Sequence, residues 1–535
     1  MISEVLITIK PENEHNKKLI HKLILEELEK KNLFVGEKKL EYVFVKKSID
    51  ARRGQVKFHL KYKVFIDEKM EDLKTSELSE WKTVTGDKSV LIIGAGPAGL
   101  FGALKLLEKG IKPIIIERGS ETLKRKQDIA KISTQNEVNA DSNYCFGEGG
   151  AGTFSDGKLY TRSNKRGNIN KILQIFVHFG ANESILTDAH PHIGTDKLPG
   201  IINAMRKKIL ELGGEFYFDT RCVDFVKGKD NKVTGIVAKN TINQEEKTFT
   251  ADGVVVATGH SAFDIYELIA KTNPQALEAK TFAMGVRVEH PRVLIDTIQY
   301  HGKNAEGNLP TAEYRLTTQV DERGVYSFCM CPGGFVVPSA TGPDEIVVNG
   351  MSSAARNSKW SNAAIVVETR PEDIPLEFVE KAKQAGTESL AGLYFRKYIE
   401  EETKKQGNGQ AAPAQILTDF IANQDSSELP KTSYTPGVVP SRLDKWLPEH
   451  ISKRLIQGFK NFDKFMKGFV SSKALLIASE TRTSTPVRIL RNQETYECDF
   501  IPGVFPCGEG SGYSGGIVSS AMDGENVCQA ISDLI

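Results

Sequence analysis

The run Ser89-Val-Leu-Ile-Ile-Gly94-Ala95-Gly96-Pro97-Ala98-Gly99-Leu constrains this chain more than any other segment. Val90 to Ile93 is a short, branched apolar stretch of the kind buried on both faces of a parallel sheet. Gly94 permits a tight turn out of that strand. Gly96 removes a side chain where backbone must approach a pyrophosphate, and Gly99 lets the next helix pack closely on the sheet. Leu100 onward continues as that helix, and Gly110 stops it. Its N-terminus offers free N–H groups and the positive end of a dipole to phosphate. A second apolar run, Pro113 to Ile116, ends in Glu117, 18 residues past Gly99. That is near the spacing of an acid that binds ribose hydroxyls, and an acid there repels a 2′-phosphate. A bare Gly-x-Gly-x-x-Gly occurs by chance; strand, helix, second strand and acid together rarely do.

Other glycine-rich segments fit the rest of such a molecule. Asp252-Gly-Val-Val-Val-Ala257-Thr258-Gly259 is another buried strand ending in small residues, where backbone can pass close to a cofactor. Gly147-Glu148-Gly149-Gly150-Ala151-Gly152-Thr153-Phe-Ser-Asp-Gly157 alone could be an ordinary surface loop, but its place after the first βαβ unit favours cradling a phosphate or a flavin edge. Far along the chain, Cys507-Gly508-Glu509 and Gly515-Gly516-Ile517 can contact the other half of the dinucleotide. Glu509 can accept hydrogen bonds from ribitol hydroxyls. Gly515 to Ile517 opens a helix whose N-terminus can face a flavin ring or a pyrophosphate. This pairing of distant segments marks a flavin protein.

These segments resemble the two-dinucleotide-binding-domain flavoproteins. Within them, the chain is most similar to a bacterial family of uncharacterised FAD-dependent, or NAD(FAD)-utilising, dehydrogenases. The closer match is carried by Lys47-Ser-Ile-Asp-Ala-Arg52, Gly147 to Tyr160, Ala257-Thr-Gly-His-Ser261, Phe328-Cys-Met-Cys-Pro-Gly-Gly334 and Glu480-Thr-Arg-Thr-Ser-Thr-Pro-Val-Arg488, which together span nearly the whole chain. The resemblance implies an α/β fold with a Rossmann-like FAD-binding domain of the glutathione-reductase type and an FAD site; the FAD is read as non-covalent, since His260 and the cysteines permit attachment but no motif demands it. It places the phosphate turn on Gly94, Gly96 and Gly99 and the ribose acid on Glu117. Arg125, or next Arg118, would contact the pyrophosphate or adenosine, and the backbone of Thr220-Arg-Cys-Val223 would meet the adenine. The wider superfamily has Asp where this chain has Glu509, one methylene longer. No substrate is implied, and the catalytic residues are unassigned.

At 535 residues the chain exceeds what one core supports, so two or three domains are expected. Residues 1–85 read as a small α+β module, ferredoxin-like or split βαβ: strands at Val5 to Ile9, Tyr42 to Val45 and Gln55 to Ile66, with a helical stripe from Lys17 to Lys31. The polar stretch Asp67 to Lys88 reads as a linker. Residues 86–280 and 495–535 form the FAD-binding domain, and 281–494 an inserted α+β cap over the flavin face. No run of 18 uncharged apolar residues is present, so no membrane association is expected. The start lacks a secretory pattern, and the seven scattered cysteines suit reduced thiols, so the expected compartment is the cytoplasm.

Chemistry at the flavin would involve the cap. Cys329-Met-Cys331 could exchange electrons or supply a thiolate, but two small buried residues before a Gly-Gly turn is the reading favoured. Arg482 and Arg488 could hold an anionic small-molecule substrate, or simply pair with nearby acids. His260 could lie near the cofactor or cap a helix. His190-Pro-His192 lacks further ligands, so no metal is expected. NADH or NADPH is a candidate transient reductant, because only one clear dinucleotide turn exists. From residue 46 to 63, seven Lys and Arg face Asp50 alone, among Phe58 and Tyr62. A nucleic-acid face, and with it a flavin-dependent RNA-modifying enzyme, is the alternative reading; a non-catalytic flavin-binding protein is another. Alternating Lys is also ordinary at an exposed sheet edge. Oligomeric state is not legible.

Overall fold

The computed structural model describes the whole chain except residues 34, 35, 37, 69–77, 162–166, 303–308 and the side chain of Arg53. A five-stranded parallel sheet forms its centre, in the order Val504–Pro506, Gly253–Val256, Ser89–Ile93, Lys112–Ile116, Glu215–Tyr217. Leu91 sits between Val254 and Ile114 in register. Val90, Leu91 and Ile92 have no exposed surface, as expected for branched residues covered on both sheet faces. Helix Pro97–Glu108 runs back over one face, and helix Ile517–Leu534 lies beside it. A three-stranded antiparallel meander, Thr220–Lys227, Val233–Asn240 and Glu246–Thr250, follows the last of the sheet's first three strands.

The chain leaves this part through Leu277–Ala279 and returns through Val487–Ile489, which pair antiparallel. Between them lies a seven-stranded sheet ordered Thr317–Val320, Arg323–Cys331, Trp360–Thr369, Phe282–Pro291, Leu475–Glu480, Ala412–Ile416, Val438–Pro440. Only its last pair is parallel. Helix Glu449–Phe465 covers one face with Leu455, Phe459 and Phe462, all fully buried.

The N-terminal part is a three-stranded sheet in which Lys57–Ile66 lies between Ile2–Ile9 and Leu40–Asp50, antiparallel to both. The outer strands are therefore parallel and joined through helix Lys17–Lys30, the split βαβ arrangement. Val5, Ile7 and Ile9 alternate inward and meet Ile20, Ile24 and Leu28, spaced for one helix face. This sheet docks on the central part by backbone: Lys47 N–H donates to Thr187 O at 3.2 Å, and Ala189 N–H to Lys47 O at 3.2 Å. Three of the seven cations in its basic strip have acidic partners nearby. Lys47 pairs with Glu14, Arg52 with Asp50 and Lys61 with Glu4.

The stretch read as a linker falls partly outside the described residues. Its second half is not a free tether. Lys82 N–H donates to Leu107 O and Val84 N–H to Leu212 O, both at 2.9 Å, and Trp81 stacks on Phe179 at 5.4 Å. The apolar residues Leu78, Trp81 and Val84 account for this docking. No helix among the described residues is long and apolar enough to cross a membrane.

Candidate functional site

A cavity of about 370 Å³ opens at the C-terminal ends of the parallel strands and is walled on one side by the cap, the position where open α/β sheets bind ligands. Two helices of ordinary length start on its wall. Helix Pro97–Glu108 begins at Gly96, and helix Ile517–Leu534 begins at Gly516, so both present unpaired N–H groups and positive dipole ends. The turn before the first helix admits only glycine. At Gly94, φ is +108°, and a Cβ would lie 2.5 Å from the carbonyl oxygen of Ala257. Gly515 and Gly516, by contrast, face open space where a Cβ would meet nothing within 4 Å.

Most residues singled out from sequence line this cavity. They are Gly94, Gly96, Pro97, Ala98, Glu117, Arg118, Gly150, Ala151, Gly152, Ala257, Thr258, Gly259, Gly508, Glu509, Gly515, Gly516 and Ile517. Six do not, each for a visible reason. Ala95 N–H donates to Glu117 Oε2 at 2.9 Å, and its carbonyl accepts from Gly149 N at 2.9 Å, so these two residues brace the turn from behind. Gly99 serves packing: a Cβ there would lie 2.0 Å from Gly94 O. Thr153 Oγ1 donates to Glu148 O at 2.8 Å. Arg125 is fully buried and donates to Asn143 O, Tyr144 O and Glu148 O at 2.8, 3.0 and 2.7 Å. It holds the 143–148 loop in shape and does not reach the cavity, so the ligand contact expected of it is corrected to a positioning role. A bulge between Cys222 and Asp224 skips Val223, and Thr220, Arg221 and Cys222 line the wall instead.

The two ends of the cavity differ in chemistry. At one, the Glu117 carboxylate accepts from the N–H groups of Ala95, Gly119 and Gly147, each at 2.9 Å. About four lone-pair sites are available on a carboxylate, so capacity for a hydroxyl remains. Arg118 stacks on Phe146 at 4.2 Å and is held by Asp141 at 2.9 Å and Asp264 at 3.0 Å. At the other end, Gly508 N–H donates to Asp523 at 2.7 Å, while Arg491 clamps Asp523 and covers Tyr513 at 3.9 Å. The Arg491–Asp523 pair, unassigned from sequence, fixes the loop that carries Glu509. Burial pushes the Glu509 carboxyl up to about 7. Its neighbour His260, with Nε2 3.8 Å away, is pushed down to about 3, first by burial and then by the charges of Arg396 and Arg482.

The cap contributes Phe328, Cys329, Asn349, Arg482 and Thr483 to the wall. Arg482 is already paired with Glu400 and Glu345, each at 2.7 Å, and Arg488 with Glu278 at 3.0 Å. Both arginines thus pair with nearby acids, the second of the two readings, and Arg488 does not line the cavity. Beside them, Lys158 Nζ lies 3.3 Å from Asp156 and 3.9 Å from both Cys329 Sγ and Cys331 Sγ. Lys158 and Asp156 stand in the Gly147–Tyr160 segment, which signalled a site without showing what these two side chains meet.

Residues 281–483 match the family described as FAD-dependent protein, C-terminal domain-like, and residues 88–283 match the pyridine nucleotide-disulphide oxidoreductase family. Residues 1–65 match a domain of unknown function. A protein of Clostridium beijerinckii described as uncharacterised is 38% identical over 506 residues, covering 91% of each chain. This chain belongs to an uncharacterised family of FAD-dependent proteins. Similarity to solved structures is shallow. A geranylgeranyl bacteriochlorophyll reductase-like protein of Thermoplasma acidophilum is 11% identical over 83% of this chain and 78% of its own, with a TM-score of 0.36. For the 3-ketosteroid-Δ4-(5α)-dehydrogenase of Rhodococcus jostii, in complex with 4-androstene-3,17-dione, the values are 13%, 86%, 98% and 0.33. Overlap this shallow transfers no residue or substrate to this member of the FAD-dependent family.

Proposed function

We propose that this FAD-dependent family member is an oxidoreductase in which one extended FAD lies along the cavity and a small molecule meets its ring under the cap. The observation that carries the reading is the convergence of two helix N-termini, at Gly96 and Gly516, on one cavity bounded by Glu117 and Glu509. The two helix ends supply N–H donors for a pyrophosphate. Glu117 accepts from adenosine ribose hydroxyls, and Arg118, already neutralised by two carboxylates, offers a flat apolar face rather than a free charge. Glu509 faces the ribitol. With its carboxyl pushed up to about 7, it can hold or accept a proton at neutral pH beside the neutral imidazole of His260. FAD, when bound, accepts or gives the hydride; the cap wall excludes water from that exchange, and NADH or NADPH would supply reducing equivalents transiently. The paired state of Arg482 and Arg488 favours a substrate without a strong negative charge.

The test is Gly96→Val. A Cβ at this position would be 3.8 Å from Gly150 Cα, ordinary contact, so the variant can fold while the added methyls fill the approach of the phosphates. Bound flavin per folded chain should fall at least about 100-fold in affinity, the loss of roughly 3 kcal/mol expected when charge-assisted contacts are displaced. Full retention of FAD in a folded variant would refute the placement.

A further inference from the structure

We propose that Cys329 and Cys331 form a redox-active dithiol on the cap wall, exchanging one electron pair with the flavin, with a small-molecule disulfide as the outside partner. The inference rests on the FAD reading above. Strand Arg323–Cys331 pairs regularly with Trp360–Thr369 as far as Phe328, and the register then shifts before Cys331. Cys329 occupies that irregularity with φ at +44°, a left-handed conformation uncommon for a side chain of its kind. Bulges of this sort re-aim a side chain, and here Cys329 is turned onto the cavity while Cys331 stays fully buried behind it. Lys158 Nζ sits 3.9 Å from each sulfur, and Arg287 donates to Cys329 O at 3.3 Å.

The two sulfurs are unequal in the way thiol–disulfide exchange requires. A hydrogen bond from the Cys331 thiol, then the charges of Lys158 and Arg287, hold Cys329 well below the ordinary thiol range; Cys331 lies well above it. Burial also pushes Cys222, Cys507 and Cys528 upward. The half-buried, cavity-lining member is thus an attacking thiolate and the inner member a resolving thiol. When the Cys329–Cys331 S–S bond forms, the pair gives up two electrons and the Cys331 proton, for which FAD, when bound, would be the acceptor. The reverse transfer opens the bond. In exchange with a small-molecule disulfide, the Cys329 thiolate attacks one sulfur and expels a thiolate. Cys331 then displaces the remaining half as a thiol, giving up its own proton to it.

The experiment is an anaerobic dithionite titration of the purified, flavin-containing protein after treatment with bis(2-hydroxyethyl) disulfide, with peptide mapping of the same sample. Wild type should take up about four electrons per flavin, and Cys331→Ser or Cys329→Ser about two. A Cys329–Cys331 linked peptide should appear only in wild type. Cys331→Ser should also show a long-wavelength absorption from an unpaired thiolate against the flavin, absent in Cys329→Ser. Full flavin occupancy with about two electrons taken up and no linked peptide would overturn the dithiol and leave the FAD reading intact. A folded protein that holds no flavin would overturn the FAD reading, and with it the electron exchange proposed here.

Discussion

The cavity has two halves built by different means. On the side of the parallel sheet, recognition groups come from backbone: glycine turns, two helix N-termini, and a carboxylate tied to three amide N–H groups. On the cap side they come from buried charged side chains that satisfy one another. Arg287 has no exposed surface and donates to Glu480 at 2.8 Å, to Asn362 at 2.6 Å and to Asn349 at 3.2 Å. Arg482, Glu400 and Glu345 form a second such group. A backbone site tolerates loss of many side chains but not gain of a Cβ. A network of buried charges tolerates neither loss nor exchange, because removing one member leaves another unpaired in a poorly solvated place.

That contrast can be broken most sharply at Arg287. Arg287→Ala should cost about 3–5 kcal/mol in urea unfolding, the penalty of leaving Glu480 buried and alone. A loss below about 1 kcal/mol would mean the cap does not depend on its charge pairs. Glu509 gives a middle-sized effect with a definite sign. Its folded carboxyl titrates near 7 against an ordinary 4.5, so between these values the folded state binds more protons than the unfolded one. Stability attributable to this group is fully present below about pH 4.5 and lost as pH rises through about 7. Relative to Glu509→Gln, wild type should lose about 2 kcal/mol between about pH 5 and pH 8; the opposing titration of His260 cancels in that difference. A flat difference would place the carboxylate in water. The smallest effect belongs to the N-terminal sheet. Arg52→Ala removes a solvent-exposed pair with Asp50 and should leave both the melting temperature and flavin content unchanged. A resolvable fall in either would show that this strip does more than cover the face of a sheet.

The two halves also differed in how far they could be read from sequence. Gly94 and Gly99 announced a turn because the surrounding backbone leaves no room for a Cβ at either, while Gly96 leaves the approach to the helix N-terminus open. Glu117 followed from strand length. Arg125 misled because spacing along a chain says how far a guanidinium can reach but not whether it turns outward or back onto carbonyls. Here three nearby carbonyls of the 143–148 loop take it. Val223 misled because a bulge moved the register by a residue. Cys329-Met-Cys331 read as small core residues, since nothing in that stretch shows that Lys158, 171 positions earlier, points at both sulfurs.

The sequence by itself determined the strand–turn–helix that opens the central sheet, the apolar residues that bury it, and the glycines at both ends of the chain that keep a path clear of side chains. These follow from local backbone geometry and hydrophobic patterning, which act over a few residues. Only the tertiary structure decided which arginines are spent on carboxylates, that partial burial raises the Glu509 carboxyl, and that two sulfurs share one ammonium. Such properties depend on burial and on charges brought together from distant segments, and electrostatic strength is set by that surrounding medium rather than by the order of residues.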